Sequence, residues 1–396
     1  VLANAAKDAT VYNHQGPAKI IIDAGHQALL RGSVVESVTI TARDVLAHSV
    51  KAAEHSYSGS STVIILGQNV GKVKVVTQHL GAHGQLKGSL SATTKSAVIS
   101  QHTQGDLEVD ASGAVILTGP TTGKKTKIRA ATNLGICRNP SSTEVELTFD
   151  RVFDVRQLTQ VDDTVDKLTV VQTGLVPMWL RNLVATASST TIISAGTIDG
   201  RKTKITARDL ILASKAHMDL HGAKGTIKGT FTRAVGLDAD FSDTTVEATK
   251  VTSLVEGNAN FTKAAERAPT IEHQVKGRAE LTGASFIARM VQSDNPTQAA
   301  LATHLLFLAG EITGSPTVIR DRIWGGYQER IGQRPTFICD GKTVVLAESL
   351  FHLVAPYIKA GPEGLTYGAV NGNAYTPAQP LERLGQWVTE STESYG

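Results

Sequence analysis

The sequence predicts a mainly β protein: a parallel β-solenoid over residues 18–290, preceded by an N-terminal cap or arm (1–17) and followed by a smaller mixed α/β domain (291–396). A near-verbatim internal repeat points to it first. Gly123-Lys-Lys-Thr-Lys-Ile-Arg-Ala130 returns as Gly200-Arg-Lys-Thr-Lys-Ile-Thr-Ala207, identical at six of eight positions after a separation of 77. A looser copy, Thr39-Ile-Thr-Ala-Arg-Asp-Val45, matches Lys204-Ile-Thr-Ala-Arg-Asp-Leu210. Recurrence of one local pattern is the mark of stacked repeats, each a unit that cannot bury its apolar face alone.

A succession of short runs with alternating apolar residues is the second observation. Lys19-Ile-Ile-Ile-Asp23, Ser37-Val-Thr-Ile-Thr41, Thr62-Val-Ile-Ile-Leu66 and Lys72-Val-Lys-Val-Val76 are followed by Asp106-Leu-Glu-Val-Asp110, Glu144-Val-Glu-Leu-Thr148 and Lys167-Leu-Thr-Val-Val171, with Thr226-Ile-Lys228 and Thr245-Val-Glu247 further on. Each has one apolar side and one side of Lys, Thr, Glu or Asp, the pattern of a strand buried on one face. Turn chemistry then separates a solenoid from an antiparallel sandwich. Two-residue hairpins favour Asn-Gly and Asp-Gly, and residues 1–290 contain one Asp-Gly (Asp199-Gly200) and no Asn-Gly. Dividing the offset of 77 by four coils predicts roughly 19 residues per coil.

Composition agrees with thin layers of small and β-branched residues, since glycine numbers 36 while aromatic content is 5%. A net charge of +3 from 39 basic and 36 acidic groups is too balanced for a nucleic-acid partner. Cys137 and Cys339 stand at no metal-ligand spacing and read as two free, mostly buried thiols in preference to one bridge. The apolar stretch Ala299–Ala309 is too short to span a bilayer, so no membrane span is expected. A first residue Val1 fits a processed or trimmed chain.

Near residue 290 the composition changes. Residues 285–396 hold 11 of the 19 aromatic residues and 7 of the 12 prolines but only two lysines, Lys342 and Lys359. Asn295-Pro296 followed by Ala299–Ala309 predicts a helix ending at Gly310; a second is expected from about Thr343 to Lys359, and a short one around Leu381 to Trp387.

Motifs that carry chemistry are few. Gly119-Pro-Thr-Thr-Gly-Lys124 has three residues between its glycines where a phosphate loop needs four, and a solenoid corner explains it better. Asp340-Gly341-Lys342-Thr343 lacks the earlier glycine and reads as a turn and helix start. The pairs His79/His83 and His217/His221 lie among strands, where residues four apart are about 13 Å from each other, so they read as solvated side chains and no metal or cofactor is expected. Glu348 and His352, four apart on an expected helix, are the catalytic candidates, as an acid–base dyad or, more commonly, a surface hydrogen bond. Arg320, Asp321, Arg322, Trp324, Tyr327 and Arg330 are the ligand-binding candidates: indole and phenol rings stack, while guanidinium and carboxylate groups satisfy hydroxyls or carboxylates.

The repeated Ile-Thr-Ala-Arg-Asp pattern, with Leu107-Glu-Val-Asp-Ala-Ser-Gly113 and the turn-like Leu281-Thr282-Gly283, resembles the filamentous haemagglutinin type of secreted bacterial β-helix over roughly residues 18–290. That resemblance implies a right-handed parallel β-helix, exported through an outer-membrane partner, acting as an adhesin or as a stalk that presents a C-terminal effector. The expected function is therefore a secreted or cell-surface bacterial protein binding a host or neighbouring-cell glycan or protein. A β-helix enzyme cleaving glycans is one alternative, and a trimeric viral or phage spike, hence a homo-oligomer, is another.

Overall fold

The computed structural model describes residues 1–136, 140–151, 159 and 165–288, then 304–314, 318–321, 336–339, 342–346, 358–361, 364–367, 369–370 and 373–374. These form a parallel β-solenoid of about 14 turns, with no helix among the strands described. The chain divides into two compact units, residues 1–178 with 184–193, and residues 179–183 with 194–396.

In the first unit every coil lays its strands on those of the coil before. Leu2 pairs with Ile21, Lys19 with Ser37, Ser37 with Glu54, Val73 with Leu90, Leu107 with Thr126 and Val145 with Leu168, so coil length ranges from 17 to 23 residues around the expected value. Register turns alternation along the chain into columns across coils. One column runs Ile22, Ile40, Tyr57, Val75, Ala92, Val109, Ile128 and Leu147, and all are buried. Full burial of each aliphatic side chain contributes about 1.5–3 kcal/mol, so a coil holds its place through several such columns at once.

Two of the three Ile-x-Ala copies share one column of the first unit, whereas Ala207 ends Lys204–Ala207, a strand of a different sheet, so the match across 77 positions joins non-equivalent places. Ala42, Gly59, Thr77, Thr94, Ala111 and Ala130 form a column of small residues where the in–out alternation breaks and the strand bends. At the bend the Thr94 hydroxyl donates to the carbonyls of Gln78 and Ser96, satisfying backbone that a turning strand leaves unpaired. A second corner is a ladder of glycines, Gly71, Gly88, Gly105 and Gly123, in which a Cβ on any member would collide with backbone of the coil beneath. Gly123 thus belongs to a corner, in agreement with the reading that set the phosphate-loop likeness aside.

The second unit has three faces and regular coils of 20–21 residues as far as Ala288, while the next coil takes 33–34. Lys204–Ala207, Lys224–Ile227, Thr245–Glu247, Ala265–Ala268, Ser285–Ala288 and Val318–Asp321 make one parallel sheet. Asp209–Ser214, Thr230–Val235, Lys250–Val255 and Thr270–Glu280 stack as the next face, and pairs such as Ala239–Asp240 and Ala259–Asn260 form the third. A turn recurs after each of these pairs. The side chains of Asp199, Asp219, Asp240, Asn260 and Glu280 accept the N–H two residues on, from Arg201, His221, Ser242, Thr262 and Thr282. The residue after that adopts positive φ: Lys202 (53°), Gly222 (66°), Asp243 (52°), Lys263 (56°) and Gly283 (68°). A left-handed conformation costs a residue with a Cβ roughly 1–2 kcal/mol, partly offset by the lower chain entropy it has to lose. Replacing exposed Lys263 by glycine is therefore expected to raise unfolding stability by about 0.5–1 kcal/mol, read from urea denaturation; a loss would mean that the lysine side chain carries a contact of its own.

Two expectations are corrected at the C-terminal side. Part of the stretch expected to be a helix ending at Gly310 is instead the strand His304–Thr313, whose Leu305 pairs in parallel with Ile271. The second expected helix coincides at its start with Lys342–Leu346, a strand antiparallel to that one, and at its end with Ile358–Gly361, which pairs with Gly364–Tyr367. A continuous apolar run such as Leu305-Leu-Phe-Leu-Ala309 fits a buried helix or a buried strand equally well, and the open edge of Thr270–Glu280 supplies the backbone partners that select the strand. The parallel ladder therefore passes the compositional break at 290 and reaches Asp321. Its first rungs, Leu2–Ala5 and Ala9–Tyr12, come from the segment expected as a cap or arm. The helix expected around Leu381 to Trp387 lies outside the described residues, as do most residues of the expected α/β domain.

Candidate functional site

Of the residues singled out by sequence, Arg320 and Asp321 end the strand Val318–Asp321, the last rung of the six-stranded sheet, opposite Ile287 and Ala288. Arg322, Trp324, Tyr327, Arg330, Glu348 and His352 lie outside the described residues, as does Cys137. The histidine pairs sit where solvated side chains would. His79 Nδ1 is 2.8 Å from the Ser96 hydroxyl, and His221 Nδ1 is 2.8 Å from that of Ser242. Among the described residues, no group of three or more His, Cys, Asp or Glu side chains is placed to hold a metal ion.

An open groove of about 480 Å³ lies on the outer face of the first unit. Four successive coils build it, because outward positions alternate with the buried columns. One row across the coils is Ser37, Glu54, Lys72 and Ser89; a second, two residues along each strand, is Thr39, Ser56, Lys74 and Ser91. Strand spacing sets neighbouring groups of a row about 4.8 Å apart, and the two rows about 7 Å apart. Lys72 faces Glu54 across one strand gap, the favourable opposite-charge pairing, whereas Lys74 lies between the hydroxyl residues Ser56 and Ser91. The surface thus offers two ammonium groups on one strand, one beside a carboxylate and one flanked by hydroxyls, with hydroxyl residues on the coils to either side, and suits an extended polar chain laid across the strands.

Directly beneath the groove, two inward positions depart from the aliphatic pattern. His55 and Tyr57 occupy adjacent buried columns, with the imidazole Nδ1 2.8 Å from the phenol oxygen and Nε2 2.8 Å from the Val70 carbonyl. A carbonyl only accepts, so Nε2 carries the proton and Nδ1 accepts from the Tyr57 hydroxyl. Burial pushes the His55 imidazole below and the Tyr57 phenol above its ordinary range, which keeps both neutral.

The second unit contains a charged cluster with no access to water. The inward column that begins with Leu212 continues as Arg233, Ser253 and His273, and Glu266 faces it from the six-stranded sheet. Arg233 Nη2 donates to Glu266 Oε1 at 2.6 Å, His273 Nε2 donates to Oε2 at 2.8 Å, and Arg233 Nε donates to Ser253 Oγ at 2.9 Å. The guanidinium carbon lies 4.1 Å from the centre of the Phe241 ring, and Phe261 and Phe286 pack on the imidazole. Burial by itself pushes the Glu266 carboxyl up, but the Arg233 charge and the donated hydrogen bonds more than offset it and bring it down to about 2; burial pushes His273 down. The result is one buried ion pair oriented by a neutral imidazole. All three side chains are wholly inaccessible, so this cluster organises the core and has no route to a ligand.

Sequence reasoning missed the groove, the cluster and the turn ladder. For the ladder a signal was present: Asp240-Phe-Ser-Asp-Thr244 returns 20 positions later as Asn260-Phe-Thr-Lys-Ala264. Among the described residues no helix is long and apolar enough to cross a membrane. Comparison of the chain with protein-family models, curated proteins and solved structures finds no match.

Proposed function

We propose that this chain is a secreted or surface-exposed bacterial structural and binding protein, in which the solenoid holds an extended, hydroxyl-rich ligand such as a cell-surface glycan in the groove at Lys72 and Lys74, while residues 291–396 serve recognition or effector delivery. The groove is the observation that carries the reading. Its two rows of serine, threonine, lysine and one glutamate cross several coils at strand spacing, so a polymer gains one polar contact after another and no single deep pocket is needed. The filamentous haemagglutinin-like pattern, with its right-handed helix and its adhesin or stalk role, supports the same reading.

Titration of the full chain with neutral and acidic polysaccharides by calorimetry tests it. Binding is expected, and the Lys72→Ala/Lys74→Ala pair is expected to weaken it about tenfold, the loss of about 1.4 kcal/mol of charge-assisted contact. No binding to any polysaccharide, or binding indifferent to both substitutions, overturns the groove assignment. Release of unsaturated or reducing ends during the same incubation would replace adhesion with glycan cleavage.

A further inference from the structure

The coils of the second unit differ little in what they bury. Phe231, Val251 and Ile271 stand opposite one another at one inward position, and Val235, Val255 and Val275 do so four residues further along the same strands. A strand moved along its neighbour by two residues keeps every inward side chain inward, so apolar groups still meet apolar groups. The position between these two columns is the exception. There the inward residues are Arg233, Ser253 and His273 on three successive coils, and each makes different bonds. Arg233 Nε donates to Ser253 one coil on, and Nη2 reaches Glu266 on the six-stranded sheet, past Gly225 of its own coil and Val246 of the next. Glu266 in turn holds His273, seven residues further along its own coil. Three coils and two sheets are thus tied through one carboxylate. Stability alone does not call for this arrangement, since two charges are desolvated and Arg233 Nη1 has no hydrogen-bond partner among the described residues.

We infer that the Arg233, Glu266 and His273 cluster is a register lock: it selects the one alignment of these coils in which the buried guanidinium keeps its counter-charge. A two-residue displacement of Thr270–Glu280 along Lys250–Val255 sets His273 opposite Val251 or Val255 in place of Ser253, about 7 Å from its native site. Pro269 alone separates Ala265–Ala268 from Thr270–Glu280, so no slack absorbs the shift, and Glu266 moves with His273 and leaves Arg233 behind. Removing the partner of a buried charge lowers the population of that alignment on the order of 100- to 1,000-fold, a discrimination that the apolar columns do not supply. Register errors in a ladder are inherited, because each coil is the template for the next. Ser285–Ala288, His304–Thr313 and Val318–Asp321 all stack beyond the cluster and take their alignment from it.

Disulfide trapping in the full chain reads the alignment directly, in a background carrying Cys137→Ser and Cys339→Ser. Thr252 and Glu272 stand opposite each other on the outward side, so Thr252→Cys/Glu272→Cys bridges in the native alignment. Thr252→Cys combined with Thr270→Cys or with Gln274→Cys places the two Cα atoms about 8 Å apart in that alignment, beyond the roughly 7 Å a disulfide spans, so these pairs bridge only after a slip. The parent is expected to close the first pair alone. Arg233→Met/Glu266→Leu/His273→Phe is expected to keep a cooperative unfolding transition and yet to close the slipped pairs at least about tenfold more than the parent does. Arg233→Met/Glu266→Gln, which removes both charges and keeps the imidazole, is the second variant and should behave alike. A cluster that only adds stability would move the unfolding midpoint and leave the bridging pattern as it is. The inference is overturned by the parent's pattern in either folded variant, or by slipped pairs that close readily in the parent. Loss of the cooperative transition in both variants overturns it equally, because the cluster would then be required for folding and not for alignment.

Discussion

Glu266→Gln is expected to destabilise the second unit by about 3–5 kcal/mol, because the substitution leaves the Arg233 guanidinium charged, wholly buried and without a counter-charge. Losing the carboxylate also weakens the acceptor for the His273 N–H. Replacing the whole cluster with side chains of similar volume, as in Arg233→Met/Glu266→Leu/His273→Phe, is expected to be neutral or stabilising, since the desolvation cost of both charges disappears together. Equilibrium denaturation of the three proteins makes the comparison. A Glu266→Gln protein within about 1 kcal/mol of the parent would mean that water or another group reaches the guanidinium.

The pH dependence follows from the same geometry. Glu266 is held at about 2 in the fold against an ordinary value of 4.5, so its contribution is complete above pH 4.5 and is lost as the pH falls towards 2. His273 is also lowered from 6.5; its unfolded form takes up a proton before its folded form does, so stability begins to fall once the pH drops below 6.5. Both groups act in one direction. The parent is expected to lose stability continuously on acidification from about pH 6.5, and the apolar triple variant to keep a flatter profile over the same window.

Gly88→Ala is the second large effect. Gly88 has φ of 155°, and a Cβ built there would overlap the Gly71 carbonyl in the coil below. Backbone strain of about 1–3 kcal/mol and overpacking of about 1–3 kcal/mol combine to roughly 2–6 kcal/mol. The collision is with backbone, so no rotamer change relieves it, and the coil must lift from its neighbour and lengthen several ladder hydrogen bonds together. Gly225→Ala is the contrasting case. Its Cβ would meet the Val246 methyls at 3.6 and 3.8 Å, ordinary contact, and alanine is the better strand residue by about 0.5–1 kcal/mol. Equal damage from the two substitutions would show that loss of backbone flexibility, rather than close approach at the Gly71–Gly123 corner, governs these glycines.

Particular residues show how far the linear text could be read. Ile20, Ile22, Val38 and Ile40 announced their inward direction by alternation alone, and the scarcity of hairpin dipeptides before residue 290 gave parallel stacking. Alternation failed at His304–Thr313, where five apolar residues in a row carry no period and the edge of the preceding coil decided the conformation. It was silent about partners. Arg233, Glu266 and His273 each occupy an ordinary inward position, and nothing near Arg233 in the sequence shows that its counter-charge lies 33 residues away on a different sheet.

One-sided burial and the parallel arrangement were determined by the sequence itself, because alternation and the scarcity of hairpin dipeptides depend on residues within a few positions of one another. The groove and the buried ion pair were decided only by the tertiary structure. Coil length varies between 17 and 23 residues in the first unit, so which side chains meet across a strand gap depends on the accumulated register of every coil before them, and that register is set by packing and not by any local signal.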